Sequence, residues 1–166
     1  MNVIIKKKYN NVLQYYIKNN YYECIKAGTE LINSGYKYDQ LFMYIGNSYM
    51  MLQQYKMAID HFKNAIALNA KLVEAYHNLS IAYFEQKEYE KTEHALREVI
   101  CLDCKYIDSW NSLGHVLIKL NRIKEAKSAY FESLSIKQNF VAAYGIAGLL
   151  NNFSESERYY KLAIRY

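Results

Sequence analysis

The chain repeats itself. Phe42, Tyr76, Trp110 and Tyr144 follow one another at intervals of 34 residues. Each opens a similar pattern: Ile45, Gly46 and Tyr49 after Phe42, then Leu79, Ser80 and Tyr83, then Leu113, Gly114 and Leu117. A second set follows in phase, with Ala58, Phe62 and Ala65, then Thr92 and Leu96, then Ala126, Tyr130, Ser133 and Leu134. A period of this size restricts the fold more than composition can. One unit cannot bury its own apolar face, so neighbouring units must stack to make the core. Apolar residues recur at spacings of three and four within each segment, as amphipathic helices require. The expected fold class is all-α, an array of antiparallel helix hairpins.

In chain order, the first unit spans about residues 5–38. Val12, Tyr15 and Tyr16 mark its first helix, and Cys24, Gly28 and Leu31 its second. Lys8 and Asn11 replace residues that are aromatic or apolar later, so this unit is divergent, as terminal repeats are. Asn33-Ser34-Gly35 is a helix stop, with glycine free to turn left-handed. The second unit, about 39–72, opens on Asp39 as an expected N-cap and turns at Gln53-Gln54. The third, about 73–106, turns at Lys87-Glu88. The fourth, about 107–140, starts with Asp108 and Ser109 and turns at Asn121-Arg122. In the fifth, 141–166, Ser156, Tyr160 and Ala163 take the places of Ala126, Tyr130 and Ser133, but four residues early. Four residues are close to one helical turn, so a first helix shortened by one turn keeps the faces aligned. The last hairpin is expected to leave Tyr159, Leu162 and Ile164 partly uncovered. The array reads as one domain over 1–166.

Small residues at fixed phase have a mechanical reading. Gly46, Ser80, Gly114 and Gly148 recur together, as do Ala58, Thr92 and Ala126. Glycine inside a helix costs roughly 1 kcal/mol relative to alanine. Its return at one phase implies close helix approach within each hairpin, with Tyr49, Tyr83 and Phe62 filling the space between successive hairpins.

Composition serves mainly to exclude. At 52% hydrophobic and 16% aromatic the chain is not disordered, and the absence of proline favours helix. The net charge of +5 is spread along the chain, with Lys6-Lys7-Lys8 the single basic run. No basic stripe forms, so nucleic acid is not an expected partner. No stretch approaches the ~18 apolar residues a bilayer span needs, and Met1 to Ile5 is too short for a signal-peptide core. Three cysteines then suit a reducing cytoplasm. Cys101-Leu-Asp-Cys104 has redox spacing but falls at the end of a helix, not at the N-terminus that lowers a thiol pKa. His61, His77, His94 and His115 fall on different helices without ligand spacing. No phosphate loop, nucleophile elbow or converging carboxylate pair appears. The expectation is a chain that is not an enzyme and uses no metal or cofactor.

Period, aromatic phase and small-residue phase together resemble the tetratricopeptide repeat family, strongly over about 39–140, well over 141–166 and weakly over 5–38. The proline usual at the repeat junction is missing, with Ala70, Cys104 and Gln138 in its place. The resemblance implies a right-handed superhelix whose first helices line a concave groove that recognises peptides or protein segments. Carried onto this sequence, the groove comprises Tyr9, Leu13, Tyr16 and Ile17; Met43, Tyr44, Asn47, Met50 and Met51; His77, Asn78, Ile81, Phe84 and Glu85; and Asn111, Ser112, His115 and Ile118. Methionine adapts to varied apolar shapes, and amides both donate to and accept from a peptide backbone. An apolar or amphipathic segment of another protein is the expected partner, with Asn47, Asn78 and Asn111 fixing its backbone. Chaperone adaptors of the family clamp an acidic C-terminus with Lys, Asn, Asn, Lys and Arg. Here those places hold Met43, Asn47, Asn78, Asp108 and Ser112. With the cations gone, tight binding of an acidic tail is not expected. Two alternatives stand beside this reading: self-assembly through the C-terminal hairpin, and service as the recognition arm of a larger enzyme.

Overall fold

The computed structural model describes residues 3–150 and 152–164. The Met1–Ile5 leader reading begins on residues outside that set. The described residues form ten α-helices and no strand. They fall into two compact units, Met1–Lys87 and Glu88–Tyr166.

The N-terminal unit holds α1 (Val3–Ile17), α2 (Tyr21–Asn33), α3 (Asp39–Met51), α4 (Tyr55–Leu68) and α5 (Val73–Glu85). Helices α1/α2 and α3/α4 pair as hairpins, and each second helix packs on the first helix that follows, α2 on α3 and α4 on α5. The C-terminal unit holds α6 (Tyr89–Leu102), α7 (Ile107–Lys119), α8 (Ile123–Ile136), α9 (Phe140–Gly148) and α10 (Phe153–Ile164). It repeats the scheme: α7/α8 and α9/α10 pair, while α6 packs on α7 and α8 on α9.

Four of the turns that follow a first helix share one backbone form. Asn19, Gln53, Lys87 and Asn121 all adopt left-handed backbone, with φ of 57°, 58°, 60° and 60°. They too stand 34 residues apart. At three of them the amide of the next residue reaches back to a carbonyl five residues earlier: Asn20 to Tyr15, Gln54 to Tyr49 and Arg122 to Leu117, at 2.8–2.9 Å. This paired bonding closes the helix end by satisfying carbonyls that lack a partner in the helix itself. None of the four residues is glycine.

Helix starts differ from expectation at Asp39. The N-cap of α3 is Tyr38, in extended backbone, and Asp39 is the first helical residue. Its carboxylate accepts from the Gln40 amide (2.8 Å) and from Asn69 Nδ2 (2.9 Å). There it faces the positive end of the helix dipole and ties α3 to the end of α4.

The small residues are packed as expected in part. A Cβ on Gly46 would lie 2.6 Å from the Phe62 ring, so Phe62 fills the hairpin α3/α4 itself and not the gap between hairpins. Gly28 of α2 makes room for Ile45 of α3 in the same way, at 2.6 Å. Tyr49 stacks on His61 of its own hairpin, with ring centres 5.3 Å apart, while also packing on the Val12–Cys24–Leu31–Leu41–Ile45 cluster. Tyr83 does lie against the preceding hairpin, with Lys63 Nζ 5.8 Å over its ring.

The fifth repeat is shortened as its sequence implies: α9 has 9 residues where α7 has 13, a loss of one turn. Ala163 is buried, and Ser156 Oγ donates to the Ala147 carbonyl at 2.9 Å. Two substitutions of place fail. Gly148 meets nothing within 4 Å, and it is Gly145 that lies against an aromatic ring, that of Tyr130. Tyr160 does not take the buried position of Tyr130; it stays at the surface beside Tyr144, 5.5 Å between ring centres. With the turn lost, Ser156 bonds the α9 backbone directly. Ile164 is 83% exposed, while Tyr159 and Leu162 are half-buried.

Candidate functional site on the first helices

The N-terminal unit brings its three first helices side by side, since α3 packs on both α1 and α5. Tyr44 of α3 sits at the middle. Tyr16 lies tilted against it at 5.3 Å, and Tyr9 meets it edge-on at 6.4 Å. Tyr38 and Tyr21 extend the cluster, one against Tyr9 at 6.4 Å and the other against Tyr16 at 6.3 Å. Burial, then the neighbouring Tyr44 and Asp39, push the Tyr9 hydroxyl up, so it stays a neutral donor.

Beside the tyrosines two amides meet. Asn78 Nδ2 donates to Asn47 Oδ1 at 2.8 Å. One bond uses one group of each side chain. The Nδ2 of Asn47 and the Oδ1 of Asn78 have no protein partner among the described residues. Together they offer a donor and an acceptor a few ångströms apart, the complement of one peptide unit.

The predicted groove residues sort by repeat phase. Met43, His77 and Asn111 share one phase, 34 residues apart, and turn inward: Met43 is 6% exposed, Asn111 8%, and His77 half-buried. Met43 and Asn111 are therefore packing residues and not an open surface. Tyr44, Asn78 and Ser112 share the next phase and are all half-buried, as are Tyr9 and Tyr16 on α1. Asn47 is half-buried, while Ile81 and His115, in its phase, reach the surface. Met50 and Phe84 are half-buried; Met51 is 59% exposed.

In the C-terminal unit the matching amide is already used. Asn111 Oδ1 accepts from Ser133 Oγ (2.7 Å), and its Nδ2 donates to Asn139 Oδ1 (3.3 Å). Asn139 returns a bond to Ser133 Oγ (3.0 Å) and caps α9 by accepting from the Ala142 amide (2.9 Å). Asn111 therefore ties α7 to α8 and to the start of α9. Sequence reasoning also passed over Tyr38 and Tyr21, although both stand at helix starts in phase with the repeat: Tyr21, Tyr55 and Tyr89 open α2, α4 and α6 at 34-residue intervals, and Tyr38 shares its phase with Tyr106 and Phe140.

Hairpins of one period, left-handed turns in phase and a face of aromatic and amide side chains on the first helices define a helical-repeat protein. Comparison with known proteins places it further. A "TPR repeat" model matches residues 46–87, and a "Tetratricopeptide repeat" model matches 73–103 and 107–140. The chain belongs to the tetratricopeptide repeat family. It is 29% identical over 121 residues to anaphase-promoting complex subunit 6 of Arabidopsis thaliana, covering 68% of this chain and 22% of that protein. It is 33% identical over 97 residues to the heat shock protein sti1 homolog of Schizosaccharomyces pombe, covering 57% of this chain and 16% of that one. The chain thus spans about a fifth of the length of these relatives. Among solved structures, a MamA protein superposes with a TM-score of 0.88 at 24% identity, over 97% of this chain and 90% of that one. Pseudomonas aeruginosa pilF does so with 0.80 at 18%, over 97% and 75%. These two likenesses show the fold alone.

Proposed function

We propose that the chain is a protein-interaction scaffold, and that the first-helix face of its N-terminal unit holds an apolar or amphipathic segment of another protein. The observation that carries this reading is the Asn47–Asn78 pair, whose remaining donor and acceptor lie beside the tyrosine cluster. Tyrosine rings supply apolar area with little entropy to lose, and the amides take the backbone bonds that an apolar surface leaves unmet. Exposed Met51 and Ile81 widen the surface on α3 and α5. Family membership supports binding over catalysis, and among the described residues no helix is long and apolar enough to cross a membrane.

The test is affinity capture of short random peptides by the full chain, followed by titration of the captured peptides against Tyr44→Ala and Asn78→Ala. Both substitutions are expected to weaken binding, each by about 1–3 kcal/mol. Equal binding to both variants would remove the site from this face.

A second reading has one observation in its favour. On α9 and α10 the Phe140 ring stacks on Tyr144 and Tyr160 meets Tyr144 edge-on, all three at the surface, and Ile164 stands in solvent. Such apolar surface suits self-association. Sedimentation over a range of concentration tests it, and a strict monomer would end it.

A further inference from the structure

Within α3 and α5 the charge is one-sided, with Lys71 and Lys87 standing just outside the two ends of α5, and this bears on the chemistry of the occupant. Helices α3 and α5 carry Asp39, Glu74 and Glu85 and no lysine or arginine. Asp39 is committed to Gln40 and Asn69. Glu74 and Glu85 are exposed and make no ion pair among the described residues. They lie four residues before and seven after Asn78, so both share its side of α5. The basic run is on α1, at the opposite edge of the three helices, and Lys8 there is turned toward α2, lining a groove with Glu23, Lys26 and Glu30.

Resting on the reading above, we propose that the segment held on this face is cationic at one end: an apolar stretch over Tyr9, Tyr16 and Tyr44, with arginine or lysine beyond it over Glu74 and Glu85. Each charge is compatible with one direction only. A base over α5 meets two carboxylates without an ion pair, whereas a base over α1 meets Lys6, three residues before Tyr9 on the same side of the helix. Arginine suits the site better than lysine, since its planar fork bonds a carboxylate with two N–H groups at once. Packed helices lie about 8–10 Å apart. Crossing from α1 to α5 is then roughly 20 Å, or about six residues of extended chain at ~3.3 Å each. The occupant is a short linear motif, apolar first and basic about six residues away.

The experiment uses the full chain and a random-peptide library, with selected peptides titrated by fluorescence anisotropy. Wild type, Tyr44→Ala, Asn78→Ala, Glu74→Gln/Glu85→Gln and Glu74→Lys/Glu85→Lys are compared. The expected result is enrichment of arginine at one end, dependence on Tyr44 and Asn78, and a loss of about tenfold with the lysine pair, since like charges facing each other are strongly unfavourable. The glutamine pair keeps the surface neutral and should lose less, and exchanging the peptide's arginines for glutamates should restore binding to the lysine pair. Peptides that need Tyr44 and Asn78 but carry no base, or bind the lysine pair equally well, would overturn this inference and leave the peptide-binding face standing. Peptides indifferent to Tyr44 and Asn78 would overturn both.

Discussion

The Tyr130 ring of α8 occupies the space where Gly114 of α7 has no side chain: a Cβ on Gly114 would lie 2.7 Å from Cε1 and Cζ of that ring. Gly145 of α9 presses on the same ring, at 2.6 Å from Cζ. Tyr130 is 4% exposed, and burial pushes its hydroxyl up. One ring thus locks three helices of the C-terminal unit, and it can do so because two of them present bare backbone.

Gly114→Ala should therefore destabilise the chain although alanine is the better helix former. The helix gains about 1 kcal/mol, but an extra carbon in a filled core costs about 1–3 kcal/mol, and the buried Tyr130 has no open space to retreat into. Gly148→Ala is the control. Its added carbon meets nothing, so stability should rise by up to about 1 kcal/mol. Urea denaturation followed by circular dichroism reads both signs; a stabilised Gly114→Ala would show that the ring moves freely.

The left-handed turn residues give a second prediction. Gln53 and Lys87 hold φ near 60°, which costs a residue with a Cβ roughly 1 kcal/mol relative to glycine. Gln53→Gly and Lys87→Gly should each stabilise by about 0.5–1 kcal/mol, and the pair should add, because the turns belong to different hairpins. Gly35, at φ 90°, should behave oppositely, with Gly35→Ala lowering the melting temperature. Thermal melts of the four variants check the set.

These turns show why so much of the fold was legible. The same backbone problem is solved once per repeat, so Gln53-Gln54, Lys87-Glu88 and Asn121-Arg122 appear at one phase in the sequence as they do in space. The shortened α9 was legible for the same reason, as a break in phase. The site was less so. Phase tells which side of a helix a residue faces but not who waits there. Met43 and Asn111 share a phase with Tyr9, yet Asn111 is closed off by Ser133 and Asn139, 22 and 28 residues further along. Tyr160 stands in the place matched to Tyr130, yet it lies at the surface beside Tyr144, and Gly148 faces no ring where Gly114 faces Tyr130. Pairings of that kind belong to the packed structure and leave no periodic trace.

The fates of the three asparagines can be separated by stability alone. Asn111→Ala leaves the buried Ser133 O–H without its acceptor and removes one anchor of Asn139, so it should cost about 1–3 kcal/mol. Asn78→Ala breaks one partly exposed amide bond and should cost no more than about 1 kcal/mol. Denaturant midpoints of the two variants decide it. Equal losses would mean that Asn78 is as deeply committed to packing as Asn111, and would weaken the case for its carbonyl as a ligand group.

Acid should loosen the N-terminal unit through His61. The imidazole lies against Tyr49 at 5.3 Å and Phe42 at 5.9 Å, and its Nδ1 is buried without a hydrogen-bond partner. Burial holds its pKa below the ordinary 6.5, against a smaller upward pull from Asp60. In the unfolded chain the group protonates near 6.5, while in the fold it stays neutral to lower pH. Stability from this group is therefore complete above about pH 6.5 and falls as pH drops from there toward the depressed folded value. Replacement by a residue that cannot titrate, His61→Phe, keeps an aromatic between the two rings and should flatten the stability profile between about pH 7 and the onset of carboxylate protonation near pH 4–5. Urea midpoints at stepped pH for the two proteins measure the difference. A wild-type profile as flat as that of the variant would show that protonated His61 finds compensation between the two rings, through the attraction of a cation to an aromatic face.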